Sequence, residues 1–418
     1  IEALIAIAKR SGCEYVHPGY GFLAENAGFT EAIAGAGLTY IGASAEAIRT
    51  MGDKVAARNA AVASGLPILP GTVEPIASAA EAHDWAAANG FPVALKAAAG
   101  GGGRGFRVAY AADELSDAFT SATSESERAF ADGRLYIERY LTRPRHVEVQ
   151  IIADTHGNVV ALGDRDCSIQ RRHQKLLEEA PAPGLSDDLR ARMAEAAVRL
   201  TKHVGYTSAG TLEFMVEPDG NFWFLEMNTR IQVEHTVTEQ IFGVDLVQEQ
   251  LRVAEGLPLS ISQDIKPRGH AIECRINAED PGRNFAPAPG TVTRFVPPLG
   301  PGVRIDTASE SGTIISPRYD SLIAKLMVTA ATREQAIARG KRALAELTVE
   351  GVPTTRELHQ NILGTQRFAS ADLSTSFLPD EPQVVPPPAQ IAASEDEAAE
   401  SSWSEQTIEV NGKRFVVR

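Results

Sequence analysis

The chain has 418 residues, 44% of them hydrophobic, and a formal net charge of −14. This length exceeds one ordinary domain and predicts two or three, each able to bury a core. The negative charge excludes a nucleic-acid or membrane-surface partner, so an anionic ligand would need a local basic cluster.

The cysteines and the lack of targeting signals predict a cytoplasmic protein. Cys13, Cys167 and Cys274 are scattered, odd in number and form no CxxC pair. This excludes a disulfide framework and a zinc knuckle. No apolar run is long enough to span a bilayer, and no signal peptide is visible.

The first forty residues alternate between helical and strand patterns. Ile1–Arg10 and Phe29–Gly37 are predicted helices, and Glu14–Val16 and Leu38–Ile41 are predicted strands. This alternation is typical of the end of an α/β layer. Because the pattern starts within a helix, we expect a chain truncated at its beginning.

Two helices should follow, with Ser44 and Asp53 as their N-caps. Lys54 then lies in the first turn of the second helix, where a cation opposes the helix dipole. The residue is either a solvated surface lysine or part of an anion site at the helix start.

A glycine-rich segment, Gly100–Gly105, lies between predicted strands Phe91–Ala97 and Phe106–Tyr110. Lys96 precedes the glycines and a strand follows them, which excludes both a Walker loop and a dinucleotide-binding turn. The segment predicts either a flexible linker or, as we favour, a mobile glycine hairpin whose backbone N–H groups close over phosphates.

The densest basic cluster in this acidic chain is Asp164–Lys175. It follows a helix, a strand and a hairpin, predicted at Asp113–Ala131, Arg134–Tyr140 and His146–Leu162. Its Arg, His, Gln and Lys side chains suit a triphosphate or bicarbonate, and the alternative is a solvated charge run. We expect the cluster to lie just after the strand.

A second hairpin is predicted after helix Ser186–Val204, at the turn signal Asp219-Gly220. Counting back from that turn places Glu213 directly opposite Glu226. Facing carboxylates destabilise a hairpin unless a divalent cation lies between them.

The alternation then continues through a row of polar residues. If the chain stays extended, one face carries Glu226, Asn228, Arg230, Gln232 and Glu234. A solvated strand face is the common explanation of such alternation. The mixture of carboxylates, amides and a guanidinium favours a metal-phosphate site.

The remainder mixes helix and strand before the composition changes at Pro379. Predicted elements are helices Asp245–Glu255 and Arg333–Leu347, strand Gly269–Ile276 and a mostly β region over 290–329. Residues 381–402 are rich in Pro, Ala and Glu and predict a disordered linker. Thr407–Val417 is predicted to form a hairpin at the start of a further, truncated domain.

Several long motifs, in order along residues 1 to about 380, resemble the biotin carboxylase component of biotin-dependent carboxylases. They are His17–Phe22, the glycine loop after Lys96, Arg165–Lys175, Glu226–His235 and Glu273–Asn277. The acidic linker and trailing strands resemble the α subunit of an acyl-CoA carboxylase of the acetyl- or propionyl-CoA type.

The resemblance implies an α/β (α+β) ATP-grasp fold. Its parts would be a remnant of the N-terminal α/β domain (1–41), connecting helices with a mobile lid (42–140) and a β-rich catalytic core (141–379) whose C-terminal region begins near residue 269. The linker (380–404) and the start of a further domain (405–418) would follow.

The resemblance also implies a reaction in which ATP and bicarbonate carboxylate biotin through carboxyphosphate. Glu213, Glu226 and Asn228 would hold two Mg²⁺ or Mn²⁺ ions. Bicarbonate would be held by Lys175, Arg230, Gln232 and the Val233 N–H, with Glu234 as its general base. Arg275 would stabilise the biotin enolate, and Tyr20 would touch biotin. The remaining ATP-site residues would be Lys54, Lys96, Gly101, Gly102, Gly103, Glu138, Leu141, His146, Gln170 and His173.

The implied partners are a biotin carboxyl carrier domain, a carboxyltransferase β subunit and a second copy of the full-length chain. No biotinylated lysine motif is present, so the carrier is elsewhere. Two alternatives stay open: another bicarbonate-using ATP-grasp ligase, such as a carbamoyl phosphate synthase, and a catalytically incomplete nucleotide-binding fragment.

Overall fold

The computed structural model describes residues 1–72, 74–97, 105–130 and 132–389, and the backbone of two strands at 406–410 and 413–417. The helices, in chain order, are α1 Glu2–Arg10, α2 Ala27–Gly35, α3 Ala45–Gly52, α4 Lys54–Ala63, α5 Ala79–Asn89, α6 Ala112–Phe130, α7 Asp187–His203, α8 His235–Phe242, α9 Leu246–Ala254, α10 Arg333–Glu346, α11 Arg356–Gly364, α12 Gln366–Ala369 and α13 Phe377–Asp380.

The strands begin with two short parallel ones and continue as antiparallel pairs. In chain order they are β1 Tyr15–Val16, β2 Thr39–Tyr40, β3 Val93–Ala97, β4 Phe106–Ala109, β5 Leu135–Arg139, β6 Arg145–Ala153, β7 Val159–Arg171, β8 Gln174–Ala180, β9 Ser208–Val216, β10 Phe222–Asn228, β11 His270–Asn277, β12 Glu279–Asp280, β13 Ala286–Pro287, β14 Gly290–Thr291, β15 Arg294–Val296, β16 Val303–Thr307, β17 Ile314–Ile315, β18 Leu322–Ala330, β19 Thr348–Glu350, β20 Gln406–Val410 and β21 Lys413–Val417.

Helix starts follow the capping residues in the sequence. Ser44, Asp53, Ser186 and Asp245 each accept a hydrogen bond from a backbone N–H in the first turn of α3, α4, α7 and α9. These side chains satisfy donors that a helix leaves unpaired. The predicted caps Ser44, Asp53 and Ser186 are therefore confirmed.

A small three-stranded sheet, ordered β4-β3-β5, carries α5 and α6 on one face. Val93, Leu95 and Ile137 are fully buried against these helices. Lys96 lies on the alternate face of β3, as the period of two requires. The predicted helix Asp113–Ala131 and both strands flanking the glycine segment are confirmed, whereas residues 100–104 of the segment lie outside the described residues.

The centre of the molecule is an eight-stranded antiparallel sheet, ordered β10-β9-β6-β7-β8-β11-β18-β16. One face is mostly apolar. Val149 and Phe214 pack under α3, α4 and α7, and Ile272 and Ile276 pack under α10 and α11. Because side chains alternate along a strand, the other face receives the polar residues between them.

The hairpin between β9 and β10 pairs Glu213 with Glu226, as predicted, but the loop and the strand register that produce this pairing differ from the prediction. The loop has three residues, since Glu217 N–H donates to Asn221 O at 2.9 Å. Gly220 adopts the positive φ that such a loop needs. Leu225 is then an extra residue in β10, and this bulge restores the predicted pairing.

Three sequence predictions are wrong. The chain does not stay extended to Glu234, because β10 ends at Asn228 and α8 starts at His235. The basic cluster does not follow a strand, since β7 continues to Arg171 and buried ion pairs compensate its charges.

The third wrong prediction concerns the linker. Residues 382–389 pack on the C-terminal region, where Val384 is buried and its carbonyl accepts a hydrogen bond from Asn361 Nδ2 at 2.9 Å. Pro382 opens a turn that the Pro-rich composition does not reveal. The rest of the predicted linker, 390–404, lies outside the described residues.

Candidate active site

A row of charged side chains crosses four strands on the polar face of the large sheet. Strand register aligns Glu226 of β10, Glu213 of β9, Glu148 of β6 and Arg165 of β7. Adjacent carboxylates repel one another, so the row requires cations. The pairing predicted for two glutamates is thus one end of a longer array.

Lys175 neutralises the middle of this row. Its Nζ lies 2.5 Å from Glu148 Oε2, 2.7 Å from Glu213 Oε1 and 2.7 Å from Glu234 Oε1. Burial alone would lower the pKa of Lys175, but Glu148 and Glu234 hold it well above its usual value. The lysine is therefore a permanent buried cation shared by three carboxylates.

A bulge in β8 places Lys175 on this face. Gln170 pairs with Lys175, whereas the preceding Ile169 pairs with Leu177, so Leu176 is the extra residue. An extra residue changes which face the following positions occupy. Consequently Lys175 and Glu178 both reach the polar face although they are an odd number of residues apart.

Arg275 of β11 connects the row to the C-terminal region. Its Nε donates to Glu178 Oε1 at 2.6 Å, and its Nη2 donates to Glu234 Oε2 at 2.9 Å. Burial opposes ionisation of Glu234, but Lys175 and Arg275 lower its pKa overall. Glu234 is thus an ionised carboxylate held between two cations.

Tyr20 stands beside this end of the site. Its side chain is half-exposed, and its pKa is raised by partial burial and by the charge of Glu273, while Arg275 opposes the rise. Tyr20 therefore lies close enough to Glu273 and Arg275 to interact with both charges.

Arg165 organises the interior of the site. It is fully buried and donates to Glu148 Oε1 at 2.5 Å, to Gln150 Oε1 at 2.7 Å and to Gln232 Oε1 at 3.1 Å. Burial alone would lower the pKa of Arg165, but the adjacent Glu148 raises it above its usual value, so the guanidinium is charged. Arg165 therefore fixes Glu148 and Gln232 toward Lys175.

The predicted metal ligands meet around Glu213. Asn228 Nδ2 and Gln232 Nε2 each donate to Glu213 Oε1 at 2.9 Å. Glu226 is exposed, yet desolvation and the facing Glu213 raise its pKa, and it has no ion-pair partner within the described ranges. Two facing carboxylates and an amide oxygen are hard donors that fit Mg²⁺ or Mn²⁺.

A second acidic grouping shares Glu213. One ligand atom each of His146, Glu148 and Glu213 lies within 4.8 Å of the others. His146 Nε2 is 2.8 Å from Glu213 Oε2, and its Nδ1 is 2.9 Å from Gln170 Nε2. Lys175 compensates this group, whereas Glu226 on the other side of Glu213 has no ion-pair partner among the described residues.

Arg230 contacts the N-terminal part of the chain. Its Nε donates to Glu25 Oε2 at 2.9 Å and its Nη2 to Asn228 Oδ1 at 2.9 Å. Nearby, the Val233 carbonyl accepts a hydrogen bond from Lys325 Nζ at 2.9 Å. Arg230 and Val233 thus join the site from a loop rather than from the extended strand that the sequence predicts.

Other predicted ligands lie at the edges. Lys96 forms an ion pair with Glu138 across β3 and β5. Lys54 and His173 are exposed. Asp53 accepts the N–H groups of Val55 and Ala56 at the start of α4. Leu141 is half-buried just after β5. Gly101, Gly102 and Gly103 lie outside the described residues.

Three family models match successive parts of the chain. Residues 1–48 match the biotin carboxylase N-terminal domain, 53–262 the ATP binding domain of the carbamoyl-phosphate synthase L chain, and 273–380 the biotin carboxylase C-terminal domain. A biotin carboxylase of Nostoc sp. is 50% identical over 379 residues, which cover 90% of this chain and 85% of that protein. The chain belongs to the biotin carboxylase family.

Other relatives and solved structures agree. The biotin-dependent acyl-coenzyme A carboxylase alpha3 subunit of Mycobacterium leprae is 51% identical over 86% of this chain and 60% of that protein. The biotin carboxylase–β-γ-ATP complex of Campylobacter jejuni aligns with a TM-score of 0.83 and 45% identity, covering 91% of this chain and 85% of that one.

A further structure includes more of the predicted ligands. It is the biotin carboxylase domain dimer of 2-oxoglutarate carboxylase from Hydrogenobacter thermophilus, in complex with MgADP, ADP and bicarbonate. Its TM-score is 0.83 at 45% identity, over 92% of this chain and 85% of that one. The ATP-grasp fold predicted from the sequence is confirmed.

Five charged residues of this biotin carboxylase site were not predicted from the sequence: Glu25, Glu148, Arg165, Glu178 and Lys325. Glu148 and Glu178 sit inside the strand runs RHVEVQIIA and QKLLEEA. A charged residue inside a buried strand requires a partner of opposite charge, so the glutamates in these apolar strand segments could have been recognised from the sequence.

In the part of the chain that the structure describes, no helix is long and apolar enough to cross a membrane.

Proposed function

We propose that this chain carries out the first half-reaction of an acyl-CoA carboxylase, the ATP-dependent carboxylation of carrier-bound biotin with bicarbonate. One observation carries the proposal. Lys175, Glu234 and Arg275 form a continuous buried chain of ion pairs that joins the Glu213–Glu226 pair to the Tyr20 side of the site. ATP and bicarbonate on one side and biotin on the other can therefore meet at Glu234.

The phosphate end is built for charge neutralisation. Glu213, Glu226 and Asn228 would hold Mg²⁺ or Mn²⁺, which when bound neutralises the ATP phosphates during transfer. Lys54, Lys96 and the Gly101–Gly103 backbone would hold the phosphates from the lid, with His146, Gln170 and His173 lining the nucleotide site. Glu138 and Leu141 would meet the adenine. Closure of the lid excludes water from the labile products.

Bicarbonate fits between Lys175, Arg230, Gln232 and the Val233 N–H. Glu234 is ionised and accepts the bicarbonate proton while a bicarbonate oxygen attacks the γ-phosphorus and the bond to ADP breaks. Bicarbonate would draw Lys175 away from Glu234, which it now contacts, and this would raise the basicity of Glu234. The carboxyphosphate formed then divides into CO₂ and phosphate.

Arg275 serves the biotin end. The released phosphate takes the N1 proton of biotin, and N1 then attacks CO₂. Negative charge develops on the ureido oxygen, and a fixed guanidinium beside it lowers the barrier. Arg275 Nη1 makes no hydrogen bond to any residue in the described ranges, so it remains available for that oxygen.

The partners and domain limits follow the same proposal. Biotin would arrive on a carrier domain, and a carboxyltransferase β subunit would use the carboxybiotin. The full-length protein would form a homodimer. The divisions 1–41, 42–140, 141–379, 380–404 and 405–418 stand as proposed limits, with 382–389 packed on the core.

ATP hydrolysis with Mg²⁺ and bicarbonate, measured with and without free biotin, tests the proposal. We expect biotin-stimulated turnover. An ammonia requirement without a biotin effect would indicate a different bicarbonate-using ligase. Metal-ATP binding without any turnover would indicate an incomplete fragment.

A further inference from the structure

Two buried glutamates behind Arg275 have no assigned role. Glu178 of β8 and Glu273 of β11 are directly opposite each other in the strand register, and neither side chain is exposed. Directly opposed side chains have Cβ atoms about 5 Å apart. Two ionised carboxylates at this separation, without water, repel strongly.

The hydrogen bonding of this pair is incomplete. Glu178 Oε2 and Glu273 Oε1 are buried and have no hydrogen-bond partner among the residues that the structure describes. Their other oxygens are occupied: Glu178 Oε1 accepts from Arg275, and Glu273 Oε2 accepts from Thr236. A native protein seldom leaves buried polar atoms unpaired, so the two free oxygens require an explanation.

The cations nearby do not compensate both charges. Arg275 bonds Glu178, but it is shared with Glu234. Glu273 has no cation within ion-pair distance among the described residues. Lys325, opposite Arg275 on β18, attracts Glu273 electrostatically, but its Nζ is ion-paired with Asp306 at 3.7 Å and donates to the Val233 carbonyl. The pair therefore carries one negative charge more than its surroundings balance.

We propose that Glu178 and Glu273 share one proton, and that this proton is a positioning device for Arg275. An O–H of one carboxyl donating to the other carboxylate would satisfy both free oxygens and remove the excess charge. Arg275 then faces Glu234 and a singly charged pair, and keeps more of its positive potential for the ureido oxygen. The functional part of this inference rests on the proposed biotin carboxylation.

The electrostatics of the neighbourhood agree. Burial raises the pKa of Glu178, and Glu273 and Glu234 raise it further against the opposing Arg275. Burial likewise raises the pKa of Glu273, while Lys325 and Arg275 oppose the rise. The other titratable groups that interact with the pair are Tyr20, Cys167 and Cys274.

Infrared spectroscopy tests the shared proton without requiring turnover. We expect a carboxylic acid C=O band at neutral pH that disappears in Glu178→Gln and equally in Glu273→Gln. Either substitution removes the like charge that keeps the remaining carboxyl protonated. Glu217→Gln, a matched change in a carboxylate bonded to Arg139 and Trp223, should leave the band unchanged.

Two spectroscopic results would overturn the proposal. One is a wild-type spectrum without the band. The other is a band that survives either substitution, because two independent acids would each leave one behind. Should one variant not fold, as judged by circular dichroism, the second variant and the pH titration of the wild-type band still decide the matter.

Kinetics test the positioning role. In the wild type, deprotonation of the pair at alkaline pH should lower the biotin-dependent part of ATP cleavage several-fold. The biotin-independent part provides the baseline at each pH. In Glu273→Gln the biotin-dependent rate should stay near the wild-type rate at neutral pH and lack this alkaline decrease, because ionised Glu178 opposite a neutral glutamine is again a singly charged pair. A variant that keeps the wild-type alkaline decrease would refute the role.

The two proposals fail separately. Absence of all biotin-dependent turnover would refute the proposed function, while the infrared bands would still show whether the proton is shared.

Discussion

Glu234 is held as an ionised carboxylate by Lys175 and Arg275, and the proposed chemistry depends on its position. Each of its oxygens contacts a different cation, one from the proposed bicarbonate side and one from the proposed biotin side. The carboxylate is 2% exposed, so solvent cannot replace either contact.

Glu234→Gln should abolish proton acceptance while preserving shape. We expect metal-ATP binding to persist and bicarbonate-dependent turnover to fall by about 10² or more, the usual contribution of a general base. Steady-state phosphate release against bicarbonate concentration measures this. Near-normal turnover would remove Glu234 from the role of base.

Glu226→Ala should weaken metal-ATP binding. The substitution removes the uncompensated carboxylate of the charged row, and loss of a ligand should cost at least the roughly tenfold seen for residues that merely support a metal site. Titration of ATP cleavage with Mg²⁺ reports the change, with Glu217→Gln as a distant control. An unaltered Mg²⁺ dependence would contradict the assigned metal site.

At the scale of single residues, the sequence predicts which residues belong to the site better than it predicts which residues they contact. Strand register placed Glu213 against Glu226, and motif resemblance pointed to Lys175 and Arg275. The roles of Glu148 and Glu178 were not predicted, because their partners are distant in the sequence and only the folded sheet brings them together. Arg230 was predicted on a strand face, although a loop presents it.

Strands β8 and β11 join the two halves of the site, and ion pairs on both faces support the junction. On the apolar side, Glu179 accepts from His270 Nε2 at 2.7 Å and from Arg333 Nε at 2.7 Å. These contacts connect β8, β11 and α10. Burial raises the pKa of Glu179, but the two partners lower it overall.

Glu179→Gln should destabilise the fold by about 3–5 kcal/mol, because it leaves a buried arginine without its charge partner. Urea unfolding followed by circular dichroism gives the free energy. The exposed pair Arg342–Glu346 offers the control, since Glu346→Gln should cost at most about 1 kcal/mol. Equal effects of the two substitutions would show that the junction does not depend on this ion pair.

Helices and strands were largely predictable because caps and alternation are local signals. The bulges at Leu225 and Leu176 were not, although they decide which residues face the site. The position of a bulge depends on packing across the sheet, so the sequence of a single strand cannot reveal it. The packed turn at Pro382 was hidden for the same reason.

The molecule as a whole combines carboxyls whose pKa values shift in opposite directions. Glu179 and Glu234 have folded pKa values below the unfolded ones, so their stabilisation is present above about pH 4.3 and is lost as pH falls through the folded values. Glu178 and Glu273 have raised folded values, so their stabilisation is fully present below about pH 4.3 and is lost as pH rises.

Unfolding free energy should therefore decrease on acidification below about pH 4, as Glu179 and Glu234 become protonated, and also on alkalinisation, as the Glu178–Glu273 pair ionises. Urea titrations across the pH range measure both limbs. Glu273→Gln should remove much of the alkaline limb and leave the acid limb unchanged. Loss of the acid limb in that variant would contradict this assignment of groups.

The register between β8 and β11 has a consequence for how such a protein can be divided or recombined. The matched ATP-binding and C-terminal segments are separate along the chain, at 53–262 and 273–380, yet their strands share one hydrogen-bonded sheet. Separating them would expose two unpaired strand edges and a buried row of charges, and exposed edges of this kind promote aggregation. The two segments should therefore be inherited, expressed and engineered as one unit, with the peptide between them as a tether rather than a boundary.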